Sequence, residues 1–341
     1  MSVRYRLMNQ KDVRKCVDGI SAHPVLGPRY GRVIDQFPSA IHSALGRDSL
    51  STAVFEEFQG TTTRFLGVGL AVLVSDDFLQ ELKTTPHFWL GPELVKRITR
   101  GDSPLLSDSA VRDANSTVGL NLVVWHNTVH PEDLIRAEVG TSSMAAFEEH
   151  WCGFRFRELI GQADCLEHFQ AMCNAGGLCF HGSENDYGAF PAVNALDFES
   201  EPRNAGMSRD QAFRRGASWV GSLFVNYAPP RFCFTRSEQR LLSSASGGGT
   251  DEELSDELGI SLFSVKKAWR VIYDRVSACQ PELIPSNERA DPLIEDRGKQ
   301  KKQRLLAYLR KHPEELRPAS RKLLQQEGAQ HRPPAGAIST F

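Results

Sequence analysis

The sequence has little that would assign the chain to a secreted, membrane or disulfide-rich class. Its longest apolar run, from Phe65 to Val74, is too short to cross a bilayer and is typical of a buried strand. The amino-terminal stretch lacks the apolar core of a signal peptide. The 7 cysteines are scattered and include no C-x-x-C pair. This usage is typical of a reducing compartment, so we expect a cytoplasmic protein without a membrane partner.

Signatures of common enzyme chemistries are also missing. The sequence contains no G-x-S-x-G elbow, no phosphate-binding P-loop and no H-E-x-x-H zinc motif. Four metal-binding residue types lie close together, and they allow either a zinc site or simple buried thiols: Cys165, Cys173, Cys179 and His181. We predict the thiols, and therefore no metal.

The bulk composition fits a globular chain of more than one domain. Its 341 residues are enough for two or three domains of usual size, and 40% of them are hydrophobic. The formal net charge of −2 excludes a surface that is basic throughout, as some nucleic-acid-binding proteins have. A local basic patch remains compatible with it.

The first half of the chain has the pattern of a mixed α/β domain. Alternating residues at 3–8, two apolar segments around the turn "QGTT", and residues 119–129 predict strands. Residues 143–177 look mainly helical, and "LCFHG" predicts a further strand. Glu56 and Glu57 could act as a general base or simply face solvent. His126 and His130 lie near a strand end, where His126 is expected to have a structural role.

This order of elements resembles the GNAT acetyltransferase fold, and "VRYRLMNQKDV" is similar to the usual opening of that family. The resemblance implies a loop of the form Gln/Arg-x-x-Gly-x-Gly/Ala that binds the pyrophosphate of acetyl-CoA before the main helix. The nearest match is "HWCGFR", with His150, Gly153 and Arg155 as the candidate acyl-CoA loop. Arg155 stands where the family has a small residue. No clear group of catalytic residues accompanies the loop. An N-acetyltransferase that uses acetyl-CoA is therefore the alternative interpretation and not the favoured one.

A Pro-Pro break at Pro229 and Pro230 precedes a segment with three helical patterns. Thr235 with Glu238, and Thr250 with Glu253, have the spacing of capping boxes. Gly259 is placed to end the second helix, and Ser261 to cap the third. The third helix has an apolar face of Val265, Trp269, Ile272 and Val276. Its opposite side carries Lys266, Lys267, Arg270 and Tyr273.

This segment resembles the DNA-binding domain of LuxR-type transcriptional regulators. The residues that correspond to the family pattern are Phe234, Thr235, Glu238, Leu241, Leu242, Glu253, Leu254, Ser255, "LGIS" at 258–261, "SVK" at 264–266, Ile272 and Tyr273. Among them Phe234, Leu254, Ser255 and Ser264 stand where the family usually has Leu, Ile, Ala and Thr. Ala268 and Trp269 depart from the family pattern, and the family's short fourth helix is not evident. The resemblance implies a helix-turn-helix that places Ser264, Lys266, Lys267 and Arg270 in the major groove of double-stranded DNA. Sigma factors contain a similar element and are a near alternative.

Residues 297–311 are strongly basic and contain a narrow stripe of leucines at Leu305, Leu306 and Leu309. The helix could pack its leucines on the body and leave its lysines in water. It could instead be an arm that contacts phosphates and adds salt-dependent affinity. In that second case the candidate contacts are Lys299, Lys301, Lys302 and Arg304.

Together these patterns predict an α/β amino-terminal domain and an all-α helix-turn-helix domain. The predicted boundaries are 1–195 for an α/β sensory or GNAT-like domain, 196–230 for a connecting segment, 231–280 for the helix-turn-helix, 281–328 for a basic helical tail, and 329–341 for a disordered end. The favoured function is a transcriptional regulator without a cofactor whose α/β domain senses a small molecule or a partner. Because palindromic operators suit symmetric proteins, we expect a homodimer.

Overall fold

A computed structural model describes residues 2–60, 62–84, 88–163, 165–181, 186–189, 202–215, 218–246, 248–284 and 297–330. The chain divides into two compact units. The α/β unit comprises residues 1–114 and 118–226. The helical unit comprises residues 227–341 together with residues 115–117.

The α/β unit is built on one eight-stranded mixed sheet. Its strands are β1 Ser2–Arg6, β2 Leu50–Gln59, β3 Thr62–Val74, β4 Leu120–Asn127, β5 Phe156–Ala163, β6 Leu178–His181, β7 Asp186–Gly188 and β8 Arg203–Ser208. They lie in the order β1-β2-β3-β4-β5-β8-β6-β7. β4 and β5 are parallel, and all other neighbouring pairs are antiparallel. The mixed α/β class predicted for this part of the chain is confirmed.

Helices lie between these strands throughout residues 1–226. They are α1 Asp12–Ala22, α2 Leu26–Tyr30, α3 Phe37–Ala44, α4 Asp76–Lys83, α5 Leu90–Arg100, α6 Asp108–Ser116, α7 Pro131–Leu134, α8 Ala137–Trp151, α9 Leu166–Asn174, α10 Arg209–Arg215 and α11 Trp219–Val225, with a 3-10 helix at Gly31–Gln36. The two faces of the sheet bury separate apolar clusters. Val54 belongs to the larger cluster, whereas its neighbours Ala53 and Phe55 pack with Val139 and Ala146 of α8. This split follows from the alternation of side chains along β2.

The strand β5 corrects the prediction that residues 143–177 are mainly helical. Only α8 and α9 are helical there, and β5 lies between them. β5 pairs with β4 on one side and β8 on the other, and six of its eight residues are buried. A short run that is buried on both faces has no alternating pattern, so periodicity does not distinguish it from a buried helix.

The segment 196–230, predicted as a connection, is also different in the structure. Residues 203–208 form β8, which lies inside the sheet between β5 and β6, and α10 and α11 follow it. A Cβ on Gly206 would lie 1.9 Å from the Leu159 carbonyl oxygen, so close strand pairing here needs glycine. The small and polar residues of β8 concealed its role, because they resemble a loop.

The helical unit contains α12 Arg236–Ser246, α13 Asp251–Leu258, α14 Leu262–Cys279, α15 Arg297–Lys311 and α16 Arg321–Gln330, with a 3-10 helix at Pro313–Leu316. Its core joins α12, α13, α14 and α15 around Phe232 and Phe234. Leu305, Leu306 and Leu309 of α15 belong to this core. Residues 297–311 are therefore part of the packed unit and not a separate tail. The predicted disordered end falls largely on residues 331–341, which lie outside the described residues.

The remaining properties are helix length, cysteine burial and the lack of a metal-holding group among the described residues. Within the part of the chain that the structure describes, no helix is long and apolar enough to cross a membrane. Cys165 and Cys179 are buried, and Cys173 is half-buried. No group of three or more histidine, cysteine or acidic side chains in that same part is arranged to hold a metal ion.

Candidate nucleic-acid interface

The junction between α13 and α14 is defined by three local devices. Thr250 and Glu253 cap the start of α13 reciprocally: the Glu253 N–H donates to Thr250 Oγ1 at 3.2 Å, and the Thr250 N–H donates to Glu253 Oε2 at 2.7 Å. Gly259 ends α13 in the left-handed region, with φ of +64°. Ser261 caps α14 by accepting the Ser264 N–H at 3.1 Å. Only residues 259–261 separate the two helices, so their connection is short and ordered.

The inward side of α14 has the composition that the spacing predicts. Val265, Trp269, Ile272 and Val276 are all buried in the core of the helical unit. A second capping pair anchors α12 to the same helix, because Glu238 accepts both the Thr235 N–H at 2.7 Å and the Arg275 guanidinium at 3.1 Å. The prediction of this apolar face is confirmed.

Trp269 has a second role beyond packing. Its indole Nε1–H donates to Asp251 Oδ1 at 3.2 Å, which joins α14 to the first turn of α13. Lys302 of α15 donates to the same Asp251 oxygen at 3.1 Å and to the Gly249 carbonyl oxygen at 3.1 Å. The Lys302 ammonium also lies 5.2 Å from the centre of the Trp269 ring. We call Asp251, Trp269 and Lys302 the junction cluster, since they tie three helices together.

The outward side of α14 presents most of the predicted DNA contacts. Ser264, Lys266, Lys267 and Arg270 are exposed. Within the described residues none of the three cations forms an ion pair, so their charge is available to a partner. Tyr273 corrects the prediction that it faces outward: its ring stacks on Trp269 at 5.6 Å and packs against the core. Burial raises the pKa of Tyr273 above its ordinary value.

Three apolar side chains share this exposed region, and the sequence reasoning missed them. Phe263 is 77% exposed, Val271 44% and Ile260 40%. Phe263 lies two residues before Val265 and therefore on the opposite side of the helix from the buried stripe. That offset was a usable signal, because a large aromatic residue outside the apolar stripe must be exposed. Apolar groups of this kind contact thymine methyl groups in the major groove.

The basic helix α15 divides its cations between two roles. Lys302 contacts Asp251 in the junction cluster, and its role as a phosphate contact stays a prediction that competes with this one. Arg304 is exposed and Lys301 is half-buried. Lys299 lies on α15, but its side chain is outside the described part. Arg304 and Lys301 thus remain the predicted phosphate contacts of this helix.

The helix before the turn carries the opposite charge. Glu252, Glu253, Asp256 and Glu257 of α13 are exposed. Their carboxylates would repel a phosphate backbone, whereas the cations of α14 would attract it. Between these two sides, that of α14 is therefore the more favourable one for a polyanion.

The predicted acyl-CoA loop does not have the geometry that its proposed role requires. His150 is in the last turn of α8, and Gly153 and Arg155 follow that helix and precede β5. A pyrophosphate there would meet the carbonyl end of α8, which carries partial negative charge. Gly153 is explained by its φ of +87° in the turn. The segment that does precede α8, residues 128–136, contains no glycine and carries Glu132 and Asp133. The placement of this loop was therefore wrong.

The carboxylates considered as a general base are held as ion pairs instead. Glu56 binds Arg6, with 2.8 Å between Oε1 and the guanidinium. Glu57 binds Arg136 and Arg64. The hydrogen bond from Arg136 holds the pKa of Glu57 below its ordinary value, which makes it a weaker base. His126 is buried beside Tyr30 and Trp125, and His130 caps α7.

Comparisons with known proteins identify no relative of this chain: no family model, no curated protein and no solved structure matches it.

Proposed function

We propose that the protein is a DNA-binding transcriptional regulator. In this proposal α13, residues 259–261 and α14 form a helix-turn-helix, and the first turns of α14 enter the major groove. The observation that carries the proposal is the outward side of α14. It gathers Lys266, Lys267 and Arg270 beside the hydroxyl of Ser264, on a helix whose other side is anchored in a core.

The chemistry of these side chains suits both parts of DNA recognition. Lysine and arginine neutralise phosphates, which positions a protein on the duplex without reading its sequence. Arginine can also donate two hydrogen bonds to guanine, and a serine hydroxyl can donate to or accept from a base edge. The LuxR-type resemblance covers these same residues and supports the same docking. The α/β unit is the candidate sensor of a small molecule, and a homodimer on a palindromic site remains our expectation.

Binding to duplex DNA tests the proposal directly. Fluorescence anisotropy of the full chain would be measured with labelled duplexes from a random pool, over a series of salt concentrations. We expect salt-sensitive binding, and selection from the pool should enrich related sequences. The variant Lys266→Ala/Arg270→Ala should bind at least about 30-fold more weakly, since each cation contributes on the order of 1–3 kcal/mol to a specific contact.

Two further variants locate the contact within the helical unit. Arg310→Ala/Lys311→Ala removes the same charge from exposed positions at the end of α15 and is the matched control. It should bind DNA like the unmodified chain. Lys301→Ala/Arg304→Ala tests the proposed phosphate contacts of α15. Equal losses of DNA affinity in all three variants would indicate a non-specific effect of net charge. If the unmodified chain does not bind DNA at low salt, the proposal is contradicted.

A further inference from the structure

A cavity of about 100 Å³ lies inside the α/β unit, between α8 and the central strands β2, β3 and β4. Side chains from all four elements line it. They are Ser51, Ala53, Phe55, Gly69, Leu70, Ala71, Val124, His126, Asn127, Ser143, Ala146, Phe147, His150 and Trp151. The space is partly open to solvent, and most of its lining is apolar, so a partner of matching chemistry could enter it.

Small residues at facing positions create the cavity. Ala53 and Ala71 on the strands and Ala146 on α8 are buried and line the space. Gly69 adds to it on β3, where a Cβ would come within 3.3 Å of the Phe55 ring. Strand interiors usually have β-branched or aromatic residues that fill such a gap. Because these four positions carry alanine or glycine instead, the gap stays open.

The polar character of the cavity is limited and specific. Among the described residues that line it, there is no aspartate, glutamate, lysine or arginine. The Ser143 hydroxyl oxygen is buried and has no hydrogen-bond partner among the residues that the structure describes. A buried hydroxyl without a partner is unfavourable, so it indicates a position where a ligand atom can bind. The His150 Nδ1–H donates to the Ala146 carbonyl oxygen at 2.6 Å, which holds that ring at the rim.

We propose that this cavity binds a small, neutral and mainly apolar molecule through one hydrogen bond to Ser143. A cavity of about 150 Å³ can hold benzene, so about 100 Å³ suits a ligand or ligand end of about four to five non-hydrogen atoms. A short alcohol or ketone, or the end of a longer neutral alkyl chain, has this chemistry. Ser51, Phe147 and His150 are only half-buried, which leaves a route to the surface. If the proposed function holds, this is the sensory site of the regulator.

The test uses 1-butanol and 2-butanone as probes, with butyrate and butylammonium as charged controls of similar size. Binding to the full chain would be followed by saturation-transfer NMR. We expect saturable binding of the neutral probes, with dissociation constants on the order of 1–10 mM for so few atoms. The charged probes should bind at least tenfold more weakly, because nothing in the cavity compensates for their desolvation. Acetyl-CoA, which carries a pyrophosphate, should not compete.

Three variants make the test specific to the cavity. Ala146→Leu places three further carbon atoms in the space and should abolish binding. Ala145→Leu adds the same atoms at the exposed neighbouring position on α8 and is the matched control. Ser143→Ala removes the hydroxyl from a site where it has no partner, so the chain should stay folded while the affinity for 1-butanol falls about threefold to tenfold. Unchanged affinity in both Ala146→Leu and Ser143→Ala, or no saturable binding by the unmodified chain, would overturn the proposal.

A last measurement separates this inference from the proposed function. DNA binding would be repeated with 1-butanol at a concentration that saturates the cavity. A change in DNA affinity that Ala146→Leu abolishes would support a sensory site. If 1-butanol binds as expected but the chain never binds DNA, the cavity proposal stands and the regulator proposal fails.

Discussion

Replacing Lys302 with methionine distinguishes two roles that a basic helix can have. The structure places the Lys302 ammonium 3.1 Å from Asp251 Oδ1, 3.1 Å from the Gly249 carbonyl oxygen and 5.2 Å from the Trp269 ring. Methionine keeps most of the apolar stem and removes the charge and the donors. The substitution therefore tests whether Lys302 mainly holds α13 and α14 together or mainly attracts phosphate.

The expected cost follows from these contacts. The ion pair is partly buried, since the Lys302 and Asp251 side chains are 20% and 28% exposed, and such a pair contributes about 1 kcal/mol. The hydrogen bond to Gly249 contributes about 1 kcal/mol, and the cation–π contact about 0.5–1 kcal/mol. We expect Lys302→Met to destabilise the helical unit by about 2–3 kcal/mol. For a unit of this size the corresponding fall in melting temperature is roughly 10–20 °C.

Hydrogen exchange and DNA binding together provide the assay. In the full-length Lys302→Met chain, amides of α13 and the first turns of α14 should exchange faster, while those of the α/β sheet should be unchanged. Below the melting temperature the slope of log affinity against log salt should stay the same. Lys301→Met, at the neighbouring half-buried position, should have little effect on exchange. Normal exchange combined with a slope shallower by about 0.9 would refute the reasoning and identify Lys302 as a phosphate contact.

Three further predictions concern other parts of the chain. Phe263→Ala should leave the melting temperature nearly unchanged, because Phe263 is 77% exposed. It should weaken binding to a selected DNA site about fivefold to tenfold, because it removes an apolar contact with thymine methyl groups. If the unmodified chain binds a duplex with uracil in place of thymine equally well, methyl contact is excluded as the reason. Lys83→Met should destabilise the α/β unit by about 3 kcal/mol in urea unfolding, because it leaves Glu158 buried without its cation, and Lys83→Met/Glu158→Gln should recover part of the loss. The Arg136 hydrogen bond lowers the pKa of Glu57, so its contribution to stability is present above the ordinary pKa of 4.5 and is lost as the pH falls through the lowered value. In Glu57→Gln this part of the loss of stability at acidic pH should disappear. If stability falls with pH as it does in the unmodified chain, the assignment to Glu57 is contradicted.

The helical unit was predictable because its signals are local. A capping box needs residues only three apart, and an apolar helix face repeats within four residues. Thr250, Glu253 and Gly259 therefore marked the ends of α13 before any tertiary contact was known. The pairing of β2 with β3 was accessible for the same reason, since a turn between two apolar segments identifies a hairpin.

The parts that were missed depend on contacts distant in sequence. β5 is a strand because β4 and β8 pair with both of its edges, and β8 lies more than 40 residues further along the chain. The leucine stripe of α15 was visible, but its place in the core depends on packing with α12 and α14. A single sequence does not show such pairings. The corrections for residues 143–177 and 196–230, and the choice between two alternatives for residues 297–311, have this common cause.

The candidate cavity illustrates a different kind of difficulty. Its main determinants are Ala53, Gly69, Ala71 and Ala146, and alanine and glycine carry no chemical signal of a binding site. Their meaning appears only when the fold places them opposite one another. The cations of α14, by contrast, were recognised early because a charged side on a helix with a buried stripe is evident from spacing alone.

The number of available cations limits how a chain with a net charge of −2 could bind DNA. Lys266, Lys267 and Arg270 are three free charges on α14, and each phosphate contact contributes about −0.9 to the slope of log affinity against log salt. In the Lys301→Ala/Arg304→Ala variant, where α14 alone supplies the proposed contacts, one chain should therefore give a slope of about −3, which corresponds to weak binding, while the acidic side of α13 adds nothing. Two chains on one site should give about −5 to −6, and their half-sites would lie about 10 base pairs apart. The measured slope thus distinguishes the two assemblies. A value near −3 that does not steepen with protein concentration would contradict the expectation that a homodimer is the DNA-binding form.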